Sequence, residues 1–140
     1  MSRIFWDTNL FIYLIEDHGD LSKRVTQLRK RMIERSDDLY TSALTLGEIL
    51  VKPIEAGDEA LGRRYEAALR QGAAIIPFDV EATRLYAGIL KDRTIRPPDA
   101  IQLACAAQAR VDLFITNDER LSTKSIPRIH FISSLQRAFL

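Results

Sequence analysis

Four carboxylates in this chain stand beside apolar segments, where local structure gives little reason for a charge: Asp7, Glu48, Asp99 and Asp118. If the fold brings these side chains together, their negative charges repel one another, and a divalent cation is the simplest neutraliser. Carboxylate oxygens suit Mg²⁺ or Mn²⁺ rather than zinc. A metal site of this kind often also engages the phosphate groups of a substrate. The four acids are therefore candidate catalytic and metal-binding residues.

Each acid also has an ordinary structural explanation, and these alternatives stay open at this point. Asp99 suits the positive end of a helix dipole. Asp118 suits the N-cap of a helix over 119–121, and Asp7 suits a turn after a strand. Glu48 is harder to explain in this way, because a carboxylate inside an apolar segment is costly unless it is paired, hydrogen-bonded or bound to a metal.

The elements that must position these acids are five short apolar runs, which predict strands near residues 3–6, 39–42, 73–78, 111–115 and 129–132. Helical segments separate them, and this alternation predicts βαβ units, hence a mostly parallel α/β sheet with helices on both faces. In a doubly wound sheet the first and fourth strands can flank the switch point, where ligands bind. That arrangement would place Asp7 and Asp118 side by side at the carboxyl edge.

Caps and prolines predict where the helices near the acids begin and end. A helix over 10–16 has Thr8 or Asn9 as its predicted cap, and a helix over 44–52 ends at Pro53. We therefore expect Glu48 to lie inside the second of these helices and to be carried inward by it.

Two further helices are predicted from the pattern of apolar residues. Residues 21–35 form an amphipathic helix with a basic outer face. Residues 97–110 form a helix that is apolar on most sides and should be the buried centre of the domain, with Asp99 in its first turn. After the last strand, Ser133 is predicted to cap a short C-terminal helix.

The length, composition and net charge of the chain limit the types of protein that it can be. The 140 residues, 46% hydrophobic and 28% charged, suit one globular domain over 1–140. The net charge of +1 excludes a bulk polycation, so any affinity for nucleic acid must come from a local patch or a metal site. Cys105 is the single cysteine, which fits a reducing compartment. We read no signal peptide and no apolar run near the ~20 residues that span a bilayer, so we expect a cytoplasmic protein.

Four segments of the chain carry a resemblance to a known family. They are Trp-Asp-Thr-Asn at 6–9, Ser-Ala-Leu-Thr-Leu-Gly-Glu-Ile at 42–49, Pro-Asp-Ala-Ile-Gln-Leu-Ala at 98–104, and Phe-Ile-Thr-Asn-Asp at 114–118. In this order the sequence resembles PIN-domain ribonucleases and, among them, the VapC-type toxins of bacterial and archaeal toxin–antitoxin pairs. The resemblance covers essentially the whole chain. It implies a sheet ordered 3-2-1-4-5 and Mg²⁺- or Mn²⁺-dependent endoribonuclease activity.

The resemblance also implies roles for individual residues. Asp7 and Asp99 would be primary metal ligands, and Glu48 and Asp118 would complete the acidic set. Polar neighbours would orient carboxylates or waters, although each also suits a cap or a turn: Thr8, Asn9, Ser42, Thr116 and Asn117. The implied partners are an RNA substrate, a small cognate antitoxin and a second copy of the chain.

Two basic residues lie close to the presumed site. Arg93 and Arg96 shortly precede Asp99, and they are candidates for holding the RNA backbone.

Two other classes of protein remain open. The first is a non-catalytic module with the same fold that binds RNA or protein, although a scaffold has no need of four clustered carboxylates. The second is a receiver-like phosphoacceptor, which normally has paired acids after its first strand and a lysine after a late strand. Here Asp7 is single and no lysine directly follows the fourth predicted strand, so the sequence favours the nuclease.

Overall fold

A computed structural model describes residues 1–138 and 140. Its strands are β1 (Arg3–Trp6), β2 (Asp38–Ser42), β3 (Ala74–Ile76), β4 (Leu113–Thr116) and β5 (Phe131–Ser134). They form one sheet in the order β3-β2-β1-β4-β5, and all four neighbouring pairs are parallel. The predicted α/β class and strand order are confirmed, and the sheet is parallel throughout the described residues.

Within the described residues, eight α-helices connect the strands, and one short 3₁₀ helix follows them. The α-helices are α1 (Thr8–Ile15), α2 (Asp20–Glu34), α3 (Ala43–Ile49), α4 (Val51–Glu55), α5 (Glu59–Gly72), α6 (Val80–Ile89), α7 (Pro97–Gln108) and α8 (Glu119–Ser122). The 3₁₀ helix covers Leu135–Arg137. Of the helices described here, none combines the length and the apolar character that crossing a bilayer requires.

The core lies on both faces of the sheet because successive strand residues point in opposite directions. On β1, Ile4 and Trp6 pack with α1 and α2, whereas Phe5 packs with α6 and α7. Phe5 stacks on Phe114 of β4, with ring centroids 5.1 Å apart. Helix α7 contributes more buried residues to the second face than any other element, as its run of small apolar residues predicted. This packing fixes β1, β4 and α7 relative to one another.

Three predicted helix boundaries are wrong. Neither Thr8 nor Asn9 caps α1: Asp7 holds the N-cap position, without a side-chain capping bond. Pro53 does not end a helix, because it lies in the first turn of α4, where its missing N–H has no intrahelical partner. Ser134, not Ser133, precedes the C-terminal 3₁₀ helix.

Candidate active site at the carboxyl edge of the sheet

The ends of β1 and β4 lie side by side, as the switch-point argument predicted. The residue after β1, Asp7, donates its N–H to the carbonyl of Ile115 on β4 at 3.2 Å. Asp118 follows β4 after one intervening residue. Both acids therefore stand at the carboxyl edge, the side of a parallel sheet where ligands bind.

A cleft of about 360 Å³ opens at this edge between α1, α3, α4 and the start of α7. Three of the four candidate acids line it: Asp7, Glu48 and Asp99. Asp118 does not line the cleft, but its charge raises the pKa of Asp99, so it stands nearby. The remaining lining residues are Thr8, Asn9, Ile12, Val51, Lys52, Pro98 and Gln102.

Asp7 is the most perturbed of the acids. Its Oδ2 accepts a hydrogen bond from Thr116 Oγ1 at 2.5 Å, whereas its Oδ1 is buried and has no hydrogen-bond partner. Burial raises the pKa of Asp7 to about 7, with a further upward contribution from the charge of Asp99, against the lowering effect of the Thr116 hydrogen bond. The cleft therefore contains a desolvated carboxylate with one oxygen free to bind a cation.

Glu48 reaches the cleft from α3, but it is not the buried carboxylate that the sequence predicted. We expected a buried carboxylate carried inward among apolar neighbours, yet Glu48 is exposed while Ile49 beside it is buried. The helix turns its apolar side to the core and Glu48 to the cleft. There its Oε1 accepts a hydrogen bond from Thr8 Oγ1 at 2.7 Å.

Asp99 stands in the first turn of α7, after Pro97 and Pro98, and is half-buried. Burial raises the pKa of Asp99, as do the charges of Asp118 and Glu48, whereas Arg96 and Arg120 lower it. The helix-dipole explanation and the acidic-site explanation both apply to this position. Burial is the largest cause of the raised pKa, and the charges of Asp118 and Glu48 add to it, so Asp99 lies within electrostatic reach of two other candidate acids.

Asp118 serves as the N-cap of α8, the structural alternative raised from the sequence. Its Oδ1 accepts the backbone N–H of Arg120 at 2.9 Å, and its Oδ2 pairs with the Arg120 guanidinium at 3.2 Å. These bonds lower the pKa of Asp118. A metal role for Asp118 would have to compete with this ion pair.

The five polar residues predicted to orient the acids divide into two groups. Thr8 and Thr116 contact acids directly, since Thr116 Oγ1 donates to Asp7 and accepts the N–H of Asp118 at 3.0 Å. Asn9 acts through its backbone N–H, which lowers the pKa of Asp7.

The other two polar residues make no recorded bond to any of the four acids. Ser42 caps α3 by accepting the N–H of Thr45. Asn117 donates to the Tyr13 hydroxyl at 2.8 Å.

The two arginines proposed as RNA contacts are exposed. Arg96 holds the N-cap position of α7, and its charge lowers the pKa of Asp99. Arg93 lies in the turn between α6 and α7. Of these two arginines, Arg96 is therefore the one that acts electrostatically on a candidate acid.

Sequence reasoning missed Gln102, a buried amide on α7 that lines the cleft. It is hydrogen-bonded to Thr8 and Thr45. The sequence did contain a signal for Gln102. It is a polar residue in an otherwise apolar segment, and it lies three positions after Asp99, hence on the same side of the helix.

The donor set fits a divalent cation at Asp7. Its buried, unpartnered Oδ1 and the carboxylates of Glu48 and Asp99 are oxygen ligands of the kind that Mg²⁺ and Mn²⁺ prefer. Within residues 1–138 and 140, no three His, Cys, Asp or Glu side chains already stand close enough to hold a metal ion.

Comparison with known families gives a direct assignment, because the model of the PIN domain matches residues 4–126. The chain belongs to the PIN domain family. The match includes all four candidate acids of this PIN domain and agrees with the resemblance drawn from its sequence segments. No curated protein matches the chain in sequence.

Solved structures share the PIN fold over nearly the whole chain. VapBC-1 from nontypeable Haemophilus influenzae is 16% identical, with coverage of 96% of this chain and 99% of that chain and a TM-score of 0.70. FitAcB from Neisseria gonorrhoeae is 25% identical, with coverage of 82% of this chain and 87% of that chain and a TM-score of 0.65. A toxin–antitoxin complex from Klebsiella pneumoniae is 22% identical, with coverage of 90% and 94% and a TM-score of 0.66.

Proposed function

We propose that this PIN domain is a Mg²⁺- or Mn²⁺-dependent endoribonuclease and the toxin of a toxin–antitoxin pair. The observation that carries the nuclease proposal is Asp7, a desolvated carboxylate with one unpartnered oxygen in a cleft shared with Glu48 and Asp99. The toxin proposal rests on the structural likeness to VapBC and other toxin–antitoxin complexes.

Asp7, Glu48 and Asp99 would hold the metal ion, and Asp118 would join them once released from Arg120. When bound, a divalent ion lowers the pKa of water and stabilises negative charge on the phosphate of the substrate. Thr116 holds Asp7 Oδ2 through its hydroxyl, which leaves Oδ1 as the ligand atom.

The raised pKa of Asp99 suits it to accept the proton of the attacking water. The water would attack phosphorus in line while the bond from phosphorus to the 3′ oxygen breaks, so the upstream fragment would end in a 3′-hydroxyl and the downstream fragment would carry a 5′-phosphate. Arg96, whose charge already acts on Asp99, would hold the RNA backbone beside the cleft, and Arg93 would extend that contact.

An acidic cleft of this kind also suits inhibition by an arginine side chain. A guanidinium forms bidentate hydrogen bonds with carboxylates, and its charge replaces that of the metal ion. The cognate antitoxin would therefore present an arginine or lysine to Asp7, Glu48 or Asp99.

A homodimer is the proposed oligomer, and the exposed apolar side chains suggest where its contact lies. The apolar stripe of α2 lies in the core rather than on the surface, because Val25, Leu28 and Met32 are buried. Exposed apolar side chains remain on α4, where Val51 is 48% exposed and Ile54 is 72% exposed. We place the dimer contact there, and light scattering at micromolar concentration tests it.

The nuclease is tested by incubating purified protein with RNA in Mg²⁺, in Mn²⁺ and in EDTA. Cleavage should require the metal, and Asp7→Asn or Asp99→Asn should remove it with the fold intact. Asp112→Asn is the matched control, because Asp112 stands at the opposite, amino end of β4 and accepts the Arg3 N–H. Full cleavage in EDTA would rule out the metal mechanism, and folded protein without cleavage in any metal would favour a non-catalytic binding module.

The toxin is tested by expressing this chain alone and together with the product of the neighbouring gene. Growth arrest should depend on Asp7 and should be relieved by a small partner that copurifies. If the chain is toxic but the neighbouring product neither binds nor relieves arrest, the antitoxin proposal fails and the nuclease proposal stands.

A further inference from the structure

A buried network of hydrogen bonds ends on Glu48, and Gln102 is its centre. Gln102 Nε2 donates to Thr8 Oγ1 at 3.0 Å and to Thr45 Oγ1 at 2.9 Å, and its Oε1 accepts from Ser42 Oγ at 2.5 Å. Gln102 is 4% exposed. All its amide hydrogen atoms and its carbonyl oxygen therefore have partners inside the protein.

The direction of the bond from Thr8 to Glu48 follows from the number of protons available. An ionised carboxylate only accepts, so the single hydroxyl proton of Thr8 must point at Glu48 Oε1. Thr8 Oγ1 is then free to accept from Gln102 and, at 3.1 Å, from Thr45. Because Gln102 Nε2 can only donate, Thr8 cannot give its hydroxyl proton to Gln102 on α7.

The network joins three elements of the proposed site. Gln102 lies on α7, one turn after Asp99; Thr8 opens α1, directly after Asp7; and Glu48 lies on α3. A displacement of Gln102 would therefore be transmitted through Thr8 to Glu48 without contact between Gln102 and any acid. Buried networks of this kind fix side-chain geometry when every member is satisfied.

We propose that Gln102 is a positioning residue that orients the Glu48 carboxylate, through Thr8, for binding a divalent cation. This inference rests on the proposed function, since it concerns the same cleft. Partners that orient ligand side chains typically change metal affinity by about 10- to 100-fold when they are removed. Loss of the Gln102 amide should therefore weaken the cation site by a factor in that range.

The first test measures Mn²⁺ affinity by electron paramagnetic resonance in the absence of RNA. Gln102→Met keeps the length of the side chain and removes its donors, and we expect Mn²⁺ binding about 10- to 100-fold weaker than in the wild type. Gln108→Met is the matched control, because Gln108 lies on the same helix and donates to Asp79 at 3.0 Å, away from the cleft. Equal Mn²⁺ affinity in Gln102→Met and wild type would overturn the proposal.

A double-mutant cycle separates positioning through Thr8 from general loosening of the helix. Thr8→Val removes the hydroxyl and keeps the branched shape. If Gln102 acts through Thr8, adding Gln102→Met to Thr8→Val should weaken Mn²⁺ binding no further. Losses that multiply in the double variant would overturn the proposal.

A metal-free readout keeps this inference distinct from the proposed function. The ¹³C carboxyl signal of Glu48, assigned by its loss in Glu48→Gln, should move in Gln102→Met and stay in place in Gln108→Met. If the wild type binds no Mn²⁺, the metal mechanism fails, and this signal alone decides whether Gln102 orients Glu48. Should Gln102→Met not fold, Gln102→Leu, which also removes the amide donors and adds no charge near Glu48, replaces it with the same expected shift.

Discussion

Replacing Asp7 by asparagine should stabilise the metal-free protein above neutral pH. Burial raises the pKa of Asp7 from 3.8 to about 7, so the folded protein keeps a proton that the unfolded chain releases near pH 4. Below pH 4 both states are protonated and Asp7 contributes nothing to the pH dependence. As the pH rises from 4 to 7 the unfolded state is increasingly favoured, and above pH 7 the penalty is complete.

The magnitude follows from the size of the shift. A change from 3.8 to about 7 is about 3 pH units, and each unit corresponds to about 1.4 kcal/mol. Part of the Asp7 residue is exposed, so screening by water makes about 4 kcal/mol an upper limit. The free energy of unfolding of Asp7→Asn, relative to wild type, should therefore rise by up to about 4 kcal/mol between pH 4 and pH 8.

Urea unfolding in EDTA across this pH range measures the effect. Asp118→Asn is the control, with an effect of the opposite sign. The pKa of Asp118 is lowered in the folded protein, so its charge stabilises the fold above pH 4. Removing that charge should therefore give no increase in the free energy of unfolding at pH 8. Added Mg²⁺ should stabilise wild type and leave Asp7→Asn unchanged. A difference between wild type and Asp7→Asn that is the same at pH 4 and pH 8 would refute the reasoning.

Three further predictions concern the scaffold and the Asp118 ion pair. Phe114→Ala should lower the free energy of unfolding by roughly 3–5 kcal/mol, because Phe114 is fully buried. Phe131→Ala should change it by less than about 0.5 kcal/mol, because Phe131 is 71% exposed. Urea unfolding measures both variants. Asp58→Ala should lose about 1 kcal/mol in the same assay, since it removes the side-chain cap of α5. Arg120→Gln should raise the pKa of Asp118 in a ¹³C carboxyl titration, because the bond from Arg120 is the main cause of its lowered value.

Sequence patterns were sufficient to predict the strands and their parallel arrangement, because these signals are local, whereas the order 3-2-1-4-5 was implied by the family resemblance. β1 and β4 are short apolar runs that end at polar residues, and the alternation of strands with helices leaves few topologies for a parallel sheet. The break at Pro53 was misread because a proline allowed in a first turn has the same sequence signature as one that ends a helix.

The interior of the candidate site depends on contacts between distant residues, and these were harder to predict. The distance in sequence from Gln102 to Thr8 is 94 residues, so no local pattern showed that they are bonded. The exposure of Glu48 depends on which side of α3 packs on the core. The pairing of Asp118 with Arg120, by contrast, lies within two residues and was accessible from the capping pattern.

The rate of RNA cleavage, measured against Mn²⁺ occupancy in the same samples, tests the central claim most directly. The claim is that Asp7, Glu48 and Asp99 hold the divalent ion that the reaction requires. We predict no cleavage in the metal-free protein, a rate that rises in proportion to bound Mn²⁺, and neither tight binding nor cleavage in Asp7→Asn. Cleavage that is independent of Mn²⁺ occupancy, or that persists in Asp7→Asn, would contradict the account.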